Sequence, residues 1–176
     1  PFYKDEIAIG YDTRFLGKET AQSLSEILSN YGFKVLKSKT PLPTPALSYS
    51  VFFYKIPLGL MITASHNPAI YNGIKIKAWY GGSALPEIYE GVKSFIKIGK
   101  PKKERRGEIE EVDLKKIYID YLKSNINWDN IKKFKGKILW DPMYGSTSEI
   151  IKNLFNEMDS KTYILNSYKN LKCMSL

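Results

Sequence analysis

The alternation of apolar and polar positions sets out a regular series of elements. Ile7, Ala8 and Ile9 lead into Gly10, so residues 6–12 predict a short apolar strand. Ala21, Leu24, Leu28 and Tyr31 then recur at helical spacing, and Gly32 stands where a carboxyl cap belongs. Residues 33–36 read as a second strand. Thr44-Pro45 has the order of an N-cap followed by proline at the first helical position, opening a helix over 46–54. The continuous apolar run over 58–63 marks a strand buried on both faces. Strand, helix, strand, helix, strand at this spacing predicts an α/β fold, a mostly parallel mixed sheet flanked by helices.

Farther along, Ile74, Ile76 and Ala78 alternate with Lys75 and Lys77, which predicts a strand with one wet side. A helix over 86–98 follows, with Ile88, Val92, Phe95 and Ile96 on one face. The charged, glycine-containing stretch 99–112 is the candidate boundary, giving domains 1–112 and 113–176. In the second, Asp113 is placed to cap a helix striped by Leu114, Ile117, Tyr118, Tyr121 and Leu122. The tyrosines at that spacing read as core or interface packing. Residues 137–141 are strand-like. Ser146 or Thr147 can cap a helix with Ile151, Leu154, Phe155 and Met158 on one side, and a strand over 162–165 follows. Two helices and two strands are too few to close an α/β layer, so an incomplete second α/β domain is expected. Trp79, Trp128 and Trp140 carry no functional signal.

Composition narrows the classes. The chain has 176 residues, 43% hydrophobic and 26% charged, ordinary for a globular protein. Its longest apolar runs, 51–54 and 56–63, fall far short of the ~20 residues of a membrane span. One cysteine, Cys173, excludes an internal disulfide, and one histidine, His66, argues against a Cys/His zinc site. A reducing cytoplasm is the expected setting. Pro1 is not an initiator methionine, so the chain is expected to start partway into its gene product. The net charge of +9 favours anionic partners, and polyanions and phosphorylated metabolites both qualify. Much of it lies at 100–106, where Lys102, Lys103, Arg105 and Arg106 fall. No aromatics interleave with that run, so a solvated linker is preferred to a nucleic-acid contact.

The chemistry gathers in Met61-Ile-Thr-Ala-Ser-His-Asn-Pro68, followed by Tyr71-Asn-Gly-Ile-Lys75. A buried strand ends at Ser65, and ligands of open α/β sheets bind beyond the carboxyl ends of strands. Asn67-Pro68 and Asn72-Gly73 are turn signals, so Ser65, His66 and Lys75 can converge on one small volume. A hydrolase triad fits poorly: Ser65 and His66 are neighbours, which point apart in an extended segment, and no Gly-x-Ser-x-Gly elbow is present. A phosphate-carrying serine fits better. It needs cations, which Lys75 and Arg14 could supply, and a divalent metal to neutralise the moving group.

These segments resemble the phosphoserine loop of the phosphoglucomutase/phosphomannomutase superfamily. Gly10-Tyr-Asp-Thr-Arg14 with Gly17-Lys18, Pro43-Thr-Pro-Ala46 and Asp141-Pro-Met-Tyr-Gly145 support the resemblance in order and spacing. It implies reversible phosphate transfer between the 1- and 6-positions of a hexose phosphate, through phosphorylated Ser65 and a hexose bisphosphate. It further implies that Ser65, through its phosphate, gives one ligand to Mg²⁺, and that His66 and Lys75 sit by the transferring oxygen. Arg14 and Asn67 would support the loop. The sequence also departs from the family. The opening Thr-Ser-Gly-x-Arg-Gly loop is absent before Phe2, and no run of alternating aspartates occurs; Asp113, Asp120, Asp129, Asp141 and Asp159 are isolated. The remaining metal ligands and the carboxyl-terminal domains are therefore expected outside the chain, and this segment alone is expected to be inactive. Two alternatives stand beside this: a non-catalytic sugar-phosphate-binding or partner-binding domain, and a basic nucleic-acid binder.

Overall fold

The computed structural model describes residues 5–96, 106–158 and 160–167. The chain divides into two units, Pro1–Leu114 and Lys115–Leu176. In the first, strands β1 (Glu6–Tyr11), β2 (Lys34–Ser38), β3 (Leu58–Ile62), β4 (Ile74–Ala78) and β5 (Ile109–Val112) form one sheet in the order β4-β3-β1-β2-β5. All neighbours are parallel except β3 and β4. The steps β1 to β2 and β2 to β3 run in opposite directions across the sheet. Right-handed connections therefore place α1 (Gly17–Asn30) and α2 (Thr44–Phe53) on opposite faces.

The core follows that division. Ile7, Ile9, Tyr11, Val35, Leu60, Ile62 and Ile76 bury one face against Ala21 of α1, with Leu24, Leu28 and Tyr89 of α3 (Pro86–Ile96) packed around them. On the other face the sheet must come close to α2. A Cβ on Gly10 would stand 3.0 Å from Leu42 and 3.3 Å from Leu47, and one on Gly59 would stand 2.5 Å from Val51 Cγ2. Glycine at these two positions lets the helix settle onto the strands.

Local signals set several boundaries. Gly32 has φ 96, and the Phe33 and Gly32 amides donate to the Leu28 and Ser29 carbonyls, the paired bonds that close α1. Thr44 does not cap α2 as the sequence suggested: the helix starts at Thr44 itself, Pro43 holds the cap position, and no side-chain bond closes it. Thr147 likewise precedes α6 (Ser148–Phe155) without a side-chain cap. Residues 106–112, the described part of the charged stretch, hold more structure than its charge implies. The Gly107 amide donates to the Ser29 carbonyl at the end of α1, the Gly107 carbonyl accepts from the Ser29 hydroxyl, and β5 pairs in parallel with β2. The basic positions 100–105 lie outside the described residues, and Arg106 is exposed.

The second unit carries α4 (Leu114–Asn125), the short α5 (Trp128–Lys132), α6, and the parallel pair β6 (Lys137–Trp140) and β7 (Lys161–Ile164). Trp128, which carried no functional signal in the sequence, is its buried centre with Ile150 and Leu154. The inward position on α6 is Ile150, one residue before the expected Ile151, which is only half-buried. Tyr118 packs against this core while Tyr121 stays exposed. Among the described residues no helix is long and apolar enough to cross a membrane.

The contact of Gly59 with α2 is testable. Gly59→Ala should lower stability by about 1–3 kcal/mol in urea unfolding, because the new methyl strikes the fully buried Val51. Val51→Ala on that background should recover part of the loss.

Candidate active site

β1 and β3 are central neighbours, and the loops that follow them meet at the carboxyl rim of the sheet. The ladder continues one step past the strands, with the Asp12 amide donating to the Ile62 carbonyl at 3.1 Å. Thr63 is tied to the far side of its own loop, its amide donating to the Gly73 carbonyl at 2.9 Å. Asn72 holds the returning turn, its Oδ1 accepting from the Gly73 amide at 2.9 Å and its Nδ2 donating to the Phe15 carbonyl at 3.1 Å.

Ser65 lies on this loop, exposed, with φ 59. A non-glycine residue in the left-handed region carries roughly 1–2 kcal/mol of steric cost, so its surroundings must hold it there. They do so through the backbone. The Ser65 amide donates to Thr63 Oγ1 at 3.0 Å, and its carbonyl accepts from Arg14 Nη2 at 2.7 Å. The same guanidinium reaches three more carbonyls: Asn67 at 2.7 Å, Pro68 at 3.0 Å and Tyr71 at 3.1 Å. Four carbonyls thus face the two Nη atoms, and Nε lies 3.6 Å from Asp12 Oδ2. The sequence allowed Arg14 as a cation for a phosphate. Its donors face the loop's own carbonyls instead.

Two residues of this arrangement were not singled out in the sequence. Asp12 Oδ1 accepts from the Arg14 amide at 3.0 Å, and Asp12 Oδ2 accepts from Thr63 Oγ1 at 2.6 Å. An aspartate bonding the amide two residues on is an Asx turn, and the order Asp12-Thr-Arg14 carried that signal.

Of the expected site residues, Ser65, His66 and Asn67 are consecutive and exposed on the loop gripped by Arg14. Lys75 enters from the adjacent strand, opposite Met61 on the antiparallel β3–β4 ladder, and is half-buried. The wet strand face expected around it is absent. Lys77 lies opposite Gly59, 7% exposed, with Nζ 3.3 Å from Ser83 Oγ, while Ile74 is 48% exposed. Burial, and then the charge of Lys75, push the Lys77 ammonium below the usual lysine value of 10.5. Apolar side chains flank the loop, with Phe15 81% and Ile70 86% exposed.

Mg²⁺ was expected from the resemblance. Among the described residues no group of three or more His, Cys, Asp or Glu side chains could hold a metal ion. Asp12, the carboxylate bonded within this loop, is engaged by Thr63 and Arg14. A hard cation asks for about six oxygen ligands, and these residues do not supply them.

An α/β/α layer presenting an exposed serine beyond its central strands defines the class of the first unit. A family model described as phosphoglucomutase/phosphomannomutase, alpha/beta/alpha domain I, matches residues 3–103. The chain is 33% identical over 168 residues to a phosphoglucosamine mutase of Thermoanaerobacter sp., covering 92% of this chain and 36% of that protein. It is 29% identical over 170 residues to a phosphoglucomutase of Staphylococcus saprophyticus, covering 90% and 31%. The crystal structure of a putative phosphomannomutase from Thermus thermophilus has a TM-score of 0.78 at 32% identity, covering 89% of this chain and 36% of that one. The chain belongs to the phosphoglucomutase/phosphomannomutase family. It spans about a third of the length of these relatives.

The buried lysine gives a pH test. Its folded pKa is lowered, so the unfolded chain binds more protons between that value and 10.5, and stability attributable to this group rises with pH across that window. Lys77→Met should therefore raise the melting temperature at pH 7, and the gain should shrink as pH approaches 10. A loss at pH 7 would mean the ammonium is compensated where it sits.

Proposed function

We propose that this chain is the amino-terminal part of a phosphohexomutase that interconverts hexose 1-phosphate and hexose 6-phosphate. The observation that supports the reading is Ser65, exposed at the carboxyl rim with its amide and its carbonyl both hydrogen-bonded within the loop. Phosphorylated Ser65 donates its phosphoryl group to the free hydroxyl of the hexose phosphate. The Oγ–P bond breaks, a sugar O–P bond forms, and the proton of the sugar hydroxyl ends on Ser65 Oγ. The hexose bisphosphate then turns round and returns its other phosphoryl group to Ser65.

His66 and Lys75 serve as the proton-transfer or charge-stabilising groups beside the moving oxygen, with Asn67 and Arg14 shaping the loop. Lys75 suits this role because it is half-buried beside the apolar strand edge, where a charge acts through less water. The phosphate on Ser65 would be one ligand of Mg²⁺, whose other ligands come from beyond these residues; no step here depends on it. The remaining domains of the whole protein close the site around the sugar, and the enzyme works in the cytoplasm, in keeping with a single cysteine and an ordinary globular composition.

Intact mass of the full-length protein should show one phosphate on Ser65, rising after treatment with glucose 1,6-bisphosphate. Ser65→Ala should remove both the phosphate and turnover. Lys75→Ala should retain phosphate uptake in part while lowering kcat about a hundredfold. Phosphate confined to other residues would overturn the reading, and so would mutase turnover that survives Ser65→Ala.

A further inference from the structure

We infer that Asp12 is a positioning residue for Ser65, setting the place of its Oγ by holding the peptide groups on both sides of it; this rests on Ser65 being the phosphate carrier. Two routes lead from the one carboxylate to the one serine. On the amino side, Asp12 Oδ2 accepts from the Thr63 hydroxyl at 2.6 Å, and that hydroxyl accepts from the Ser65 amide at 3.0 Å. On the carboxyl side, Asp12 Oδ1 fixes the Arg14 amide at 3.0 Å and Oδ2 faces Arg14 Nε at 3.6 Å, while Arg14 Nη2 holds the Ser65 carbonyl at 2.7 Å. Asp12 is itself anchored to β3 by the hydrogen bond that its amide donates to the Ile62 carbonyl.

The chemistry needs this restraint. A hydroxyl that donates to a carboxylate is a stronger acceptor, so the Thr63 bond to the Ser65 amide is reinforced by Asp12. With φ at 59, the Ser65 side chain leaves the loop in a direction an extended backbone would not give it. Release of either peptide group lets the residue relax toward the favoured regions and carries Oγ away. The arrangement also directs Arg14. Its donors face carbonyls, so it orders the loop without gripping a phosphoryl group that must depart. Tight binding of the phosphoserine ground state would slow transfer.

The test uses full-length protein with Thr63→Val, Thr63→Ser and Asp12→Asn. Steady-state kinetics, intact mass after glucose 1,6-bisphosphate, and amide hydrogen exchange across 63–71 are followed together. Thr63→Val and Asp12→Asn should lower kcat about tenfold to a hundredfold, with KM changed less than about twofold, since the sugar contacts remain. Uptake of phosphate on Ser65 should slow in parallel, exchange at the Ser65 amide should quicken, and Thr63→Ser should restore all three. If Thr63→Val does not fold, the comparison of Asp12→Asn with wild type carries the test. A Thr63→Val protein that transfers at the wild-type rate, while Ser65→Ala is inactive, overturns this inference and leaves the mutase reading standing. A Thr63→Ser protein as impaired as Thr63→Val also overturns it, because the hydroxyl would then be irrelevant. Wild-type protein that takes no phosphate on Ser65 overturns both.

Discussion

The carboxyl rim depends on one guanidinium. Arg14 reaches from the loop after β1 across to the loop after β3 and gathers the carbonyls of Ser65, Asn67, Pro68 and Tyr71. A loop of that length with no regular structure would otherwise present those oxygens to water and sample many shapes. A planar, fork-shaped cation can satisfy several carbonyls at once, where an ammonium would act as a point charge. The grip works because β1 and β3 are neighbours in the sheet, which brings the two loops within a side chain's reach.

That neighbour relation follows from the order in which apolar segments are written. β1 and β3 are nearly continuous apolar runs, suited to the sheet's centre, where both faces are covered. Gly10 and Gly59 then admit α2 on one face, while Ile9, Tyr11, Leu60 and Ile62 meet α1 on the other. The same burial explains the cations. Lys75 and Lys77 project from β4 on the side where Met61 and Gly59 pack, so both lose water that a free strand face would give them. In the first unit, apolar packing and site electrostatics are two readings of one sheet face.

Much of this was legible beforehand. The parallel strands, their helices and the turn residues around Ser65 are marked by period, by Gly32, and by Asn67-Pro68 and Asn72-Gly73. What escaped is what depends on distant partners. β5 is a four-residue strand of mixed charge, and it is a strand through its ladder with β2, where Lys34 and Lys37 meet Glu110 and Glu111. Lys77 looked wet because alternation reports two faces without saying which one a helix covers. Asp12 and Thr63 are joined by a hydrogen bond across 51 residues, which no local pattern encodes. Ile150 replaced Ile151 because a short amphipathic helix leaves its register to its neighbours.

The placement of β5 bears on how the first unit is completed. Strand β4 and helix α3 lie at one margin of the sheet and β5 at the other, so the chain must traverse the full width before the layer is finished. The basic run that looks like a hinge by composition is therefore internal to one folding unit. Without β5 the sheet would end at β2 as a raw margin, with the Val35 and Lys39 amides, which now donate to the Glu108 and Val112 carbonyls, open to any passing chain. The sheet of the first unit is complete only once the segment up to Val112 has paired with β2, on the far side of a basic run that its composition alone would set between domains.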